Sequence, residues 1–230
     1  IPMAANVLLD VILNSSNGSV LVIGAPGSGK TTIMRSMACL ASGNEQTGCN
    51  ASSNVFVVGT SRELGCDAST IDRVSNYGYA RIVKATKKTQ NAMMEEVLLN
   101  HFPTIIAIDE LEPSAIQTVR RIAASGVRLF ATAHASSLSD ALINPITSCL
   151  LGEAHTVIRG DSSAMQATST KKSILERTKD PIFSTVVQLT SKGFMVWQGK
   201  EHLSAGIDTI LASEGAEPLC DFGAPQCRMW

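Results

Sequence analysis

The chain is 230 residues long, which is enough to form a hydrophobic core without disulfide bonds. Its 44% hydrophobic and 17% charged residues exclude an intrinsically disordered protein. Nineteen basic and twenty acidic residues leave a net charge of -1, so there is no overall electrostatic attraction to nucleic acid or anionic membranes. The sequence contains no run of about 18 apolar residues, so we expect no membrane span.

Apolar segments of strand length alternate with amphipathic segments of helical length as far as residue 133. The pattern predicts strands at residues 19–23, 54–58, 104–108 and 127–133. It predicts helices at residues 30–42 and 89–100, and a third helix that starts at Pro113 and ends before Gly126. Strands this apolar, separated by helices, are typical of a parallel sheet covered on both faces, with functional residues at the carboxyl ends of the strands. We therefore expect an α/β fold.

The pattern changes after about residue 155. Residues 184–189 and 193–198 are predicted to form an antiparallel hairpin around a turn that contains Lys192 and Gly193. This hairpin is expected to extend the same sheet at its edge. Residues 1–205 are predicted to form one domain, and residues 206–230 a C-terminal tail that docks on a partner.

Residues 24–31 (GAPGSGKT) match the phosphate-binding pattern G-x-x-x-x-G-K-[ST] between a predicted strand and a predicted helix. The glycines let successive backbone N–H groups face phosphate oxygens at a helix N-terminus. In this pattern Lys30 reaches the β- and γ-phosphates and the Thr31 hydroxyl binds Mg²⁺. An ordinary glycine-rich turn is the alternative, but it would match every fixed position in only about one chain in a hundred. The predicted nucleotide-binding residues are Gly24, Ala25, Pro26, Gly27, Ser28, Gly29, Lys30, Thr31 and Thr32.

The apolar strand at residues 104–108 ends in two carboxylates. Asp109 is predicted to bind Mg²⁺ together with Thr31, and Glu110 to polarise an attacking water. A solvated acidic turn is the alternative, which the position roughly 80 residues after the phosphate loop disfavours. A glutamate directly after this aspartate is typical of the nucleotide hydrolases, called ASCE, that have an extra strand between the two elements. Such enzymes usually hydrolyse ATP.

Other polar residues have two interpretations each. His134 or Thr132, at the end of the fourth predicted strand, could sense the γ-phosphate, although a structural histidine fits the same position. Glu63, just after the second predicted strand, is either a second carboxylate near the metal or a solvated loop charge. Five arginines are candidates for completing a neighbouring subunit's site, and spacing selects none of them: Arg81, Arg120, Arg121, Arg128 and Arg177.

These segments together resemble the single-domain ATPases that include bacterial stage III sporulation protein AA. The same family includes a cyanobacterial and plastid AAA-type ATPase linked to an Arg-x-x-x-His nucleic-acid-binding module. The resemblance spans about residues 24–197 and implies a RecA-like core, similar to secretion and pilus-retraction ATPases, and ring-shaped homo-oligomers. It rests on GAPGSGKTT (24–32), TSRE (60–63), NHFPTIIAIDE (100–110), GVRLFATAHA (126–135), Asn144-Pro145 and KSILER (172–177), with YAR (79–81) a looser match.

The resemblance also implies roles for particular residues. It places Glu63 in a second acidic box and His134 in a histidine box, so the predicted catalytic residues are Glu110, Glu63 and His134. Arg81 and Arg120 fall on arginines of the family. The chain departs from the family at residues 59 and 62, where glycine and arginine replace aspartate and asparagine, and it lacks the Arg-x-x-x-His module, so nucleic-acid binding is not implied.

The sequence therefore predicts a Mg²⁺-dependent P-loop ATPase that binds and hydrolyses ATP and acts as an oligomer. The departures at residues 59 and 62 leave an alternative, a nucleotide-binding structural subunit of a larger complex with little or no turnover. Six cysteines at irregular spacing, without a Cys-x-x-Cys pair, indicate reduced thiols. Together with the resemblance they predict a reducing intracellular compartment, such as a plastid or another organelle.

Overall fold

The computed structural model describes residues 18–43, 53–59, 77–158, 173–191 and 193–212. Its strands are β1 (Val20–Gly24), β2 (Val55–Gly59), β3 (Arg81–Lys84), β4 (Ile105–Ile108), β5 (Arg128–His134), β6 (Ala154–Ile158), β7 (Ser173–Arg177), β8 (Thr185–Thr190) and β9 (Gly193–Gln198). Its helices are α1 (Lys30–Ser42), α2 (Gln90–Asn100), α3 (Ile116–Ala124), which follows a 3₁₀ turn (Pro113–Ala115), α4 (Leu138–Ile143), α5 (Pro145–Leu151) and α6 (Lys200–Ala212).

The main sheet has seven strands in the order β3-β2-β4-β5-β1-β8-β9. All neighbouring strands run parallel except β9, which is antiparallel to β8 and forms one edge. The predicted α/β fold, its mostly parallel RecA-like sheet and its edge hairpin are confirmed. The extra strand expected of ASCE proteins is β5, which lies between β1 and β4.

Helices cover both faces of this sheet, because successive strand residues point to opposite sides. In β1, Val20 and Val22 pack with Met34 of α1 on one face. Leu21 and Ile23 belong to the core on the other face, which includes buried residues of α2, α3 and α6. Every residue of β1, β2 and β4 is buried, as expected for strands inside a two-sided core.

The structure differs from the predicted elements in three places. The sequence pattern missed β3, an edge strand whose terminal Arg81 and Lys84 are exposed, and the separate two-stranded sheet of β6 and β7. Both lack the apolar run that marks the central strands. The predicted boundary between residues 205 and 206 falls inside α6, whose Leu203 and Ile207 are buried in the core. Residues 213–230 lie outside the described ranges.

None of the helices in the described ranges combines the length and the apolar composition that a bilayer crossing requires.

An ionic cluster connects α3, α5, α6 and the two-stranded sheet of β6 and β7. Arg120 of α3 donates to Glu153 and to the Cys149 carbonyl, and Lys179 pairs with Glu153 at 2.7 Å. Arg177 of β7 bonds Asp208 of α6 at 3.1 Å. Arg177 also donates to the Lys179 carbonyl at 2.9 Å, so these contacts form one network that links α3 and α5 to β7 and α6.

A first prediction concerns the glycines that follow α3 and α5. Gly126 and Gly152 both have positive φ, 79° and 117°. A Cβ at Gly126 would meet nothing within 4 Å, whereas one at Gly152 would lie 2.4 Å from the Lys179 carbonyl oxygen. We expect Gly126→Ala to lower the free energy of unfolding by about 1–2 kcal/mol through backbone strain alone. Gly152→Ala should cost about 1–3 kcal/mol more, through the added clash and the larger φ.

Urea unfolding of the two alanine variants beside the wild type measures this difference directly. Both variants place a Cβ at positive φ, so the gap between them measures the steric contact at residue 152 together with its larger φ. Equal losses for the two variants would contradict the packing around residue 152.

A second prediction concerns pH. Hydrogen bonds from Lys179 and Arg120 hold the pKa of Glu153 below its ordinary value. A lowered folded-state pKa stabilises the fold above the unfolded pKa of about 4.3, and this stabilisation is lost as pH falls through the folded value. Glu153→Gln should therefore lower Tm at pH 7, and its difference from wild type should shrink below about pH 4. Glu201→Gln, on the exposed first turn of α6, controls for the loss of one carboxylate. A difference that is constant from pH 7 to pH 3 would refute this role.

Candidate active site

The candidate site lies where the carboxyl ends of β1, β4 and β5 meet. These strands are neighbours and run parallel, with Gly24 of β1 paired to His134 of β5. Polar residues that follow each strand are therefore brought to one edge of the sheet. They surround a cavity of about 470 Å³ lined by Pro26, Gly27, Gly29, Lys30, Thr31, Thr32, Asp109, Glu110, Thr132 and His134.

The loop between β1 and α1 depends on its glycines for two different reasons. Gly27 and Gly29 have φ values of 75° and 94°, which a residue with a Cβ adopts only with strain. A Cβ at either position would meet nothing within 4 Å, so the space above the loop is open to a ligand. At Gly24 a Cβ would lie 2.5 Å from Ser28 Oγ, so glycine is needed there for close approach.

The N-terminus of α1 faces this open space. Gly29 is the N-cap residue and has no side chain that could accept from the first N–H groups of the helix. Those N–H groups, together with the helix dipole, favour a bound anion. The loop geometry therefore fits a phosphate group.

Lys30, the first residue of α1, is a nearly buried cation with 7% of its surface exposed. Its Nζ donates to the carbonyl oxygens of Gly24 and Ala25, both at 2.8 Å, and lies 3.2 Å from His134 Nδ1. Burial lowers the pKa of Lys30, while the nearby Asp109 and Glu110 carboxylates oppose the shift. Hydrogen bonds to an anionic oxygen are stronger than those to a carbonyl, so phosphate could replace these loop carbonyls.

Asp109 connects the phosphate loop to β5, because its carboxylate accepts hydrogen bonds from both. Thr31 Oγ1 donates to its two carboxylate oxygens at 3.1 and 3.4 Å, and Thr132 Oγ1 donates to Oδ1 at 2.7 Å. Among the described residues there is no group of three or more acidic, histidine or cysteine side chains around a common point. One carboxylate and one hydroxyl fit Mg²⁺, which keeps several waters and takes its remaining ligands from substrate phosphates.

Glu110 follows directly and has a φ of 54°, unusual for a residue with a side chain. Its N–H donates to Thr132 Oγ1 at 2.9 Å and its carbonyl accepts from Gln90 Nε2 at 3.2 Å. Its Oε1 lies 3.5 Å from His134 Nε2, and both side chains are about half exposed. The carboxylate thus stands beside the cavity, next to an imidazole.

The structure brings most of the predicted site residues together. Lys30, Thr31, Asp109, Glu110 and His134 surround the cavity, while the predicted catalytic Glu63 lies outside the described residues. Their catalytic and binding roles stay predictions.

Two contributions were not foreseen. Thr132, considered only as a phosphate sensor, is buried and bonds both Asp109 and Glu110. Gln90 was missed altogether. The signal for it was present, because Gln90, Met94 and Val97 have the spacing of the buried stripe of a helix, and a polar residue in such a stripe needs a partner.

All five candidate arginines have partners within the chain. Arg120 and Arg177 belong to the ionic cluster around α6, and Arg121 pairs with Glu95 at 3.6 Å. The guanidinium groups of the other two stack on aromatic rings, Arg81 on Phe56 and Arg128 on Phe130. Arg81 and Arg128 are the first residues of β3 and β5. They therefore lie at the amino ends of the parallel strands, whereas the cavity lies at the carboxyl ends.

Three relatives of known sequence come from organisms that carry plastids. The chain is 34% identical over 218 residues to Protein SEEDLING PLASTID DEVELOPMENT 1 of Arabidopsis thaliana, which covers 93% of this chain and 30% of that protein. It is 33% identical to protein ycf45 of Porphyra purpurea, over 87% of this chain and 34% of the relative. The ycf45 protein of Cyanidium caldarium is 32% identical, over 78% and 52%. The chain thus spans between 30% and 52% of these relatives' length.

Two solved structures share the fold at low sequence identity. The VirB11 ATPase of the Brucella suis type IV secretion system, in complex with sulphate, aligns over 85% of this chain and 53% of its own, with a TM-score of 0.50 and 17% identity. The Legionella pneumophila ATPase DotB aligns over 93% and 54%, with a TM-score of 0.52 and 13% identity. The fold is therefore that of P-loop ATPases.

The family model for sporulation stage III, protein AA, matches residues 1–158, which contain the phosphate loop, Asp109, Glu110 and His134. This match agrees with the resemblance in the sequence motifs, and the fold agrees with both. The chain belongs to the stage III sporulation protein AA family.

Proposed function

We propose that this protein is a Mg²⁺-dependent ATPase that binds and hydrolyses ATP at the edge of its parallel sheet. The observation that carries the proposal is the hydrogen bond between Thr31 and Asp109, residues 78 positions apart. It joins the end of the phosphate loop to the carboxylate after β4, where a metal-bound triphosphate is held in P-loop enzymes. VirB11 and DotB, which share the fold, are both ATPases by name.

Each residue has a distinct part in this proposal. The loop amides and the Lys30 ammonium hold the phosphates, and Thr31 Oγ1 and Asp109 hold the metal. Bound Mg²⁺ supplies neutralisation of the charge on the phosphates. Glu110 takes a proton from the attacking water at its carboxylate, and His134, next to it, orients that carboxylate and senses the γ-phosphate. We propose Glu63 as a second carboxylate of the site.

Other parts of the proposal rest on the relatives and the family resemblance. We propose ring-like homo-oligomers or incorporation in a larger complex, and a plastid location, which the plastid named in the Arabidopsis relative supports. We also propose that the ATPase domain extends through α6, because that helix packs on the same core. Residues after α6 are then the tail that docks on a partner.

A second candidate function is a structural subunit that binds nucleotide with little turnover. The supporting observation is at Gly59, where the family resemblance has aspartate. Val58 of β2 pairs with Ile108 of β4, and Gly59 and Asp109 are the residues that directly follow this pair. The chain therefore lacks a carboxylate beside the proposed metal ligand. In that case bound nucleotide stabilises the fold through mass action.

Calorimetry and phosphate release on the purified protein separate these functions. Lys30→Ala should weaken ATP binding at least tenfold, because it removes the cation that pairs with the phosphates. Glu110→Gln should keep ATP binding within about threefold and reduce kcat by about 10²–10⁴, the usual contribution of a general base.

Glu95→Gln is a matched control, since Glu95 pairs with Arg121 on the outer surface, and it should leave both measurements unchanged. ATP binding without phosphate release by the wild type would favour the structural subunit. The absence of any binding heat with magnesium and ATP would contradict both functions.

A further inference from the structure

Gln90 is a fully buried polar residue at the start of α2, with 0% of its surface exposed. Both ends of its side-chain amide are used, and both bond the backbone that follows β4. Nε2 donates to the Glu110 carbonyl at 3.2 Å, and Oε1 accepts from the Glu112 N–H at 3.3 Å. A single side chain therefore holds the residues on both sides of Leu111 against α2.

The backbone held in this way is strained. Glu110 has a φ of 54°, in the left-handed region that side-chain-bearing residues avoid. Strain of this kind persists only where surrounding contacts impose it. Here the N–H of Glu110 is bonded to Thr132 from β5, and the carbonyl is bonded to Gln90 from α2. The two contacts hold the peptide groups on either side of the Glu110 Cα.

The two contacts differ in what else they touch. Thr132 also donates to Asp109, so its loss would disturb the proposed metal ligand as well. Gln90 makes two side-chain hydrogen bonds, one with residue 110 and one with residue 112. Lys87, just before α2, forms an ion pair with Glu112 at 3.0 Å. Lys87 is exposed, and exposed ion pairs contribute little to stability.

We propose that Gln90 is a positioning residue for Glu110. It holds that residue in its left-handed conformation and so directs the carboxylate toward the cavity without touching the nucleotide. The effect on turnover rests on the proposed ATPase function, because it concerns the activation of water. The effect on the Glu110 backbone does not depend on nucleotide.

Steady-state kinetics and ATP binding test the effect on turnover. Gln90→Met keeps the length of the side chain but removes both hydrogen bonds. We expect kcat to fall at least tenfold while the Kd for ATP changes by less than about threefold, since the phosphate-binding groups stay in place. Gln90→Leu, which also removes both hydrogen bonds and has a similar volume, should behave as the methionine variant does.

Thr118→Val is the matched control for these variants. Thr118 is a buried threonine of α3 that bonds Asn91 and Glu95 of the same helix α2, away from residues 110–112. It should lower Tm with kcat unchanged. If Gln90→Met or Gln90→Leu turns over like the wild type, the proposal is wrong.

Thermal unfolding without nucleotide tests the backbone effect. Glu110→Gly and Glu110→Ala both remove the carboxylate, but only alanine keeps the Cβ that disfavours positive φ. In the wild-type background the glycine variant should melt about 2–4 °C above the alanine variant. With Gln90→Met in addition, the loop can relax, and this difference should vanish or reverse.

The two sets of measurements fail independently. An unchanged glycine–alanine difference in the Gln90→Met background would overturn the positioning role, whatever the activity. A wild type without turnover, combined with the expected loss of the difference, would refute the ATPase function and leave the control of the Glu110 backbone supported.

Discussion

The pairing of β5 with both β1 and β4 is the constraint on which the site depends. Hydrogen bonds on its two sides set the register of β1 and β4, so that the phosphate loop and Asp109 emerge at the same edge of the sheet. Thr132 of β5 then bonds Asp109, which in turn accepts from Thr31. A register shift of one residue in β5 would point Thr132 away from Asp109, because strand side chains alternate between faces.

Around this strand, polar groups are held by the backbone as much as by each other. Lys30 donates to two carbonyls of its own loop, and Gln90 and Thr132 bond the peptide groups of Glu110. Unpaired, these buried groups would carry a desolvation cost. The same hydrogen bonds therefore satisfy the core and orient the side chains that face the cavity.

Much of the fold could be predicted because its central strands are continuous apolar runs between helices with clear periodicity. Strands β1, β2, β4 and β5 and helix α1 lie within about one residue of their predicted positions. The edge strand β3 and the sheet of β6 and β7 could not be predicted, because charged residues in β3 and β7 and polar residues in β6 leave no apolar run of strand length. Their pairing is decided by neighbours distant in the chain, as is common for strands.

The sequence by itself determined the phosphate loop, the two carboxylates after β4 and the histidine that ends β5, because the chemistry of these groups depends on residue type at short spacing. Only the tertiary structure decided which of them touch. The contacts of Thr132 with Asp109, and of Gln90 with Glu110, join residues 23 and 20 positions apart. Such contacts follow from strand order, helix packing and a left-handed φ at one glutamate, which are properties of the folded chain and leave no local pattern.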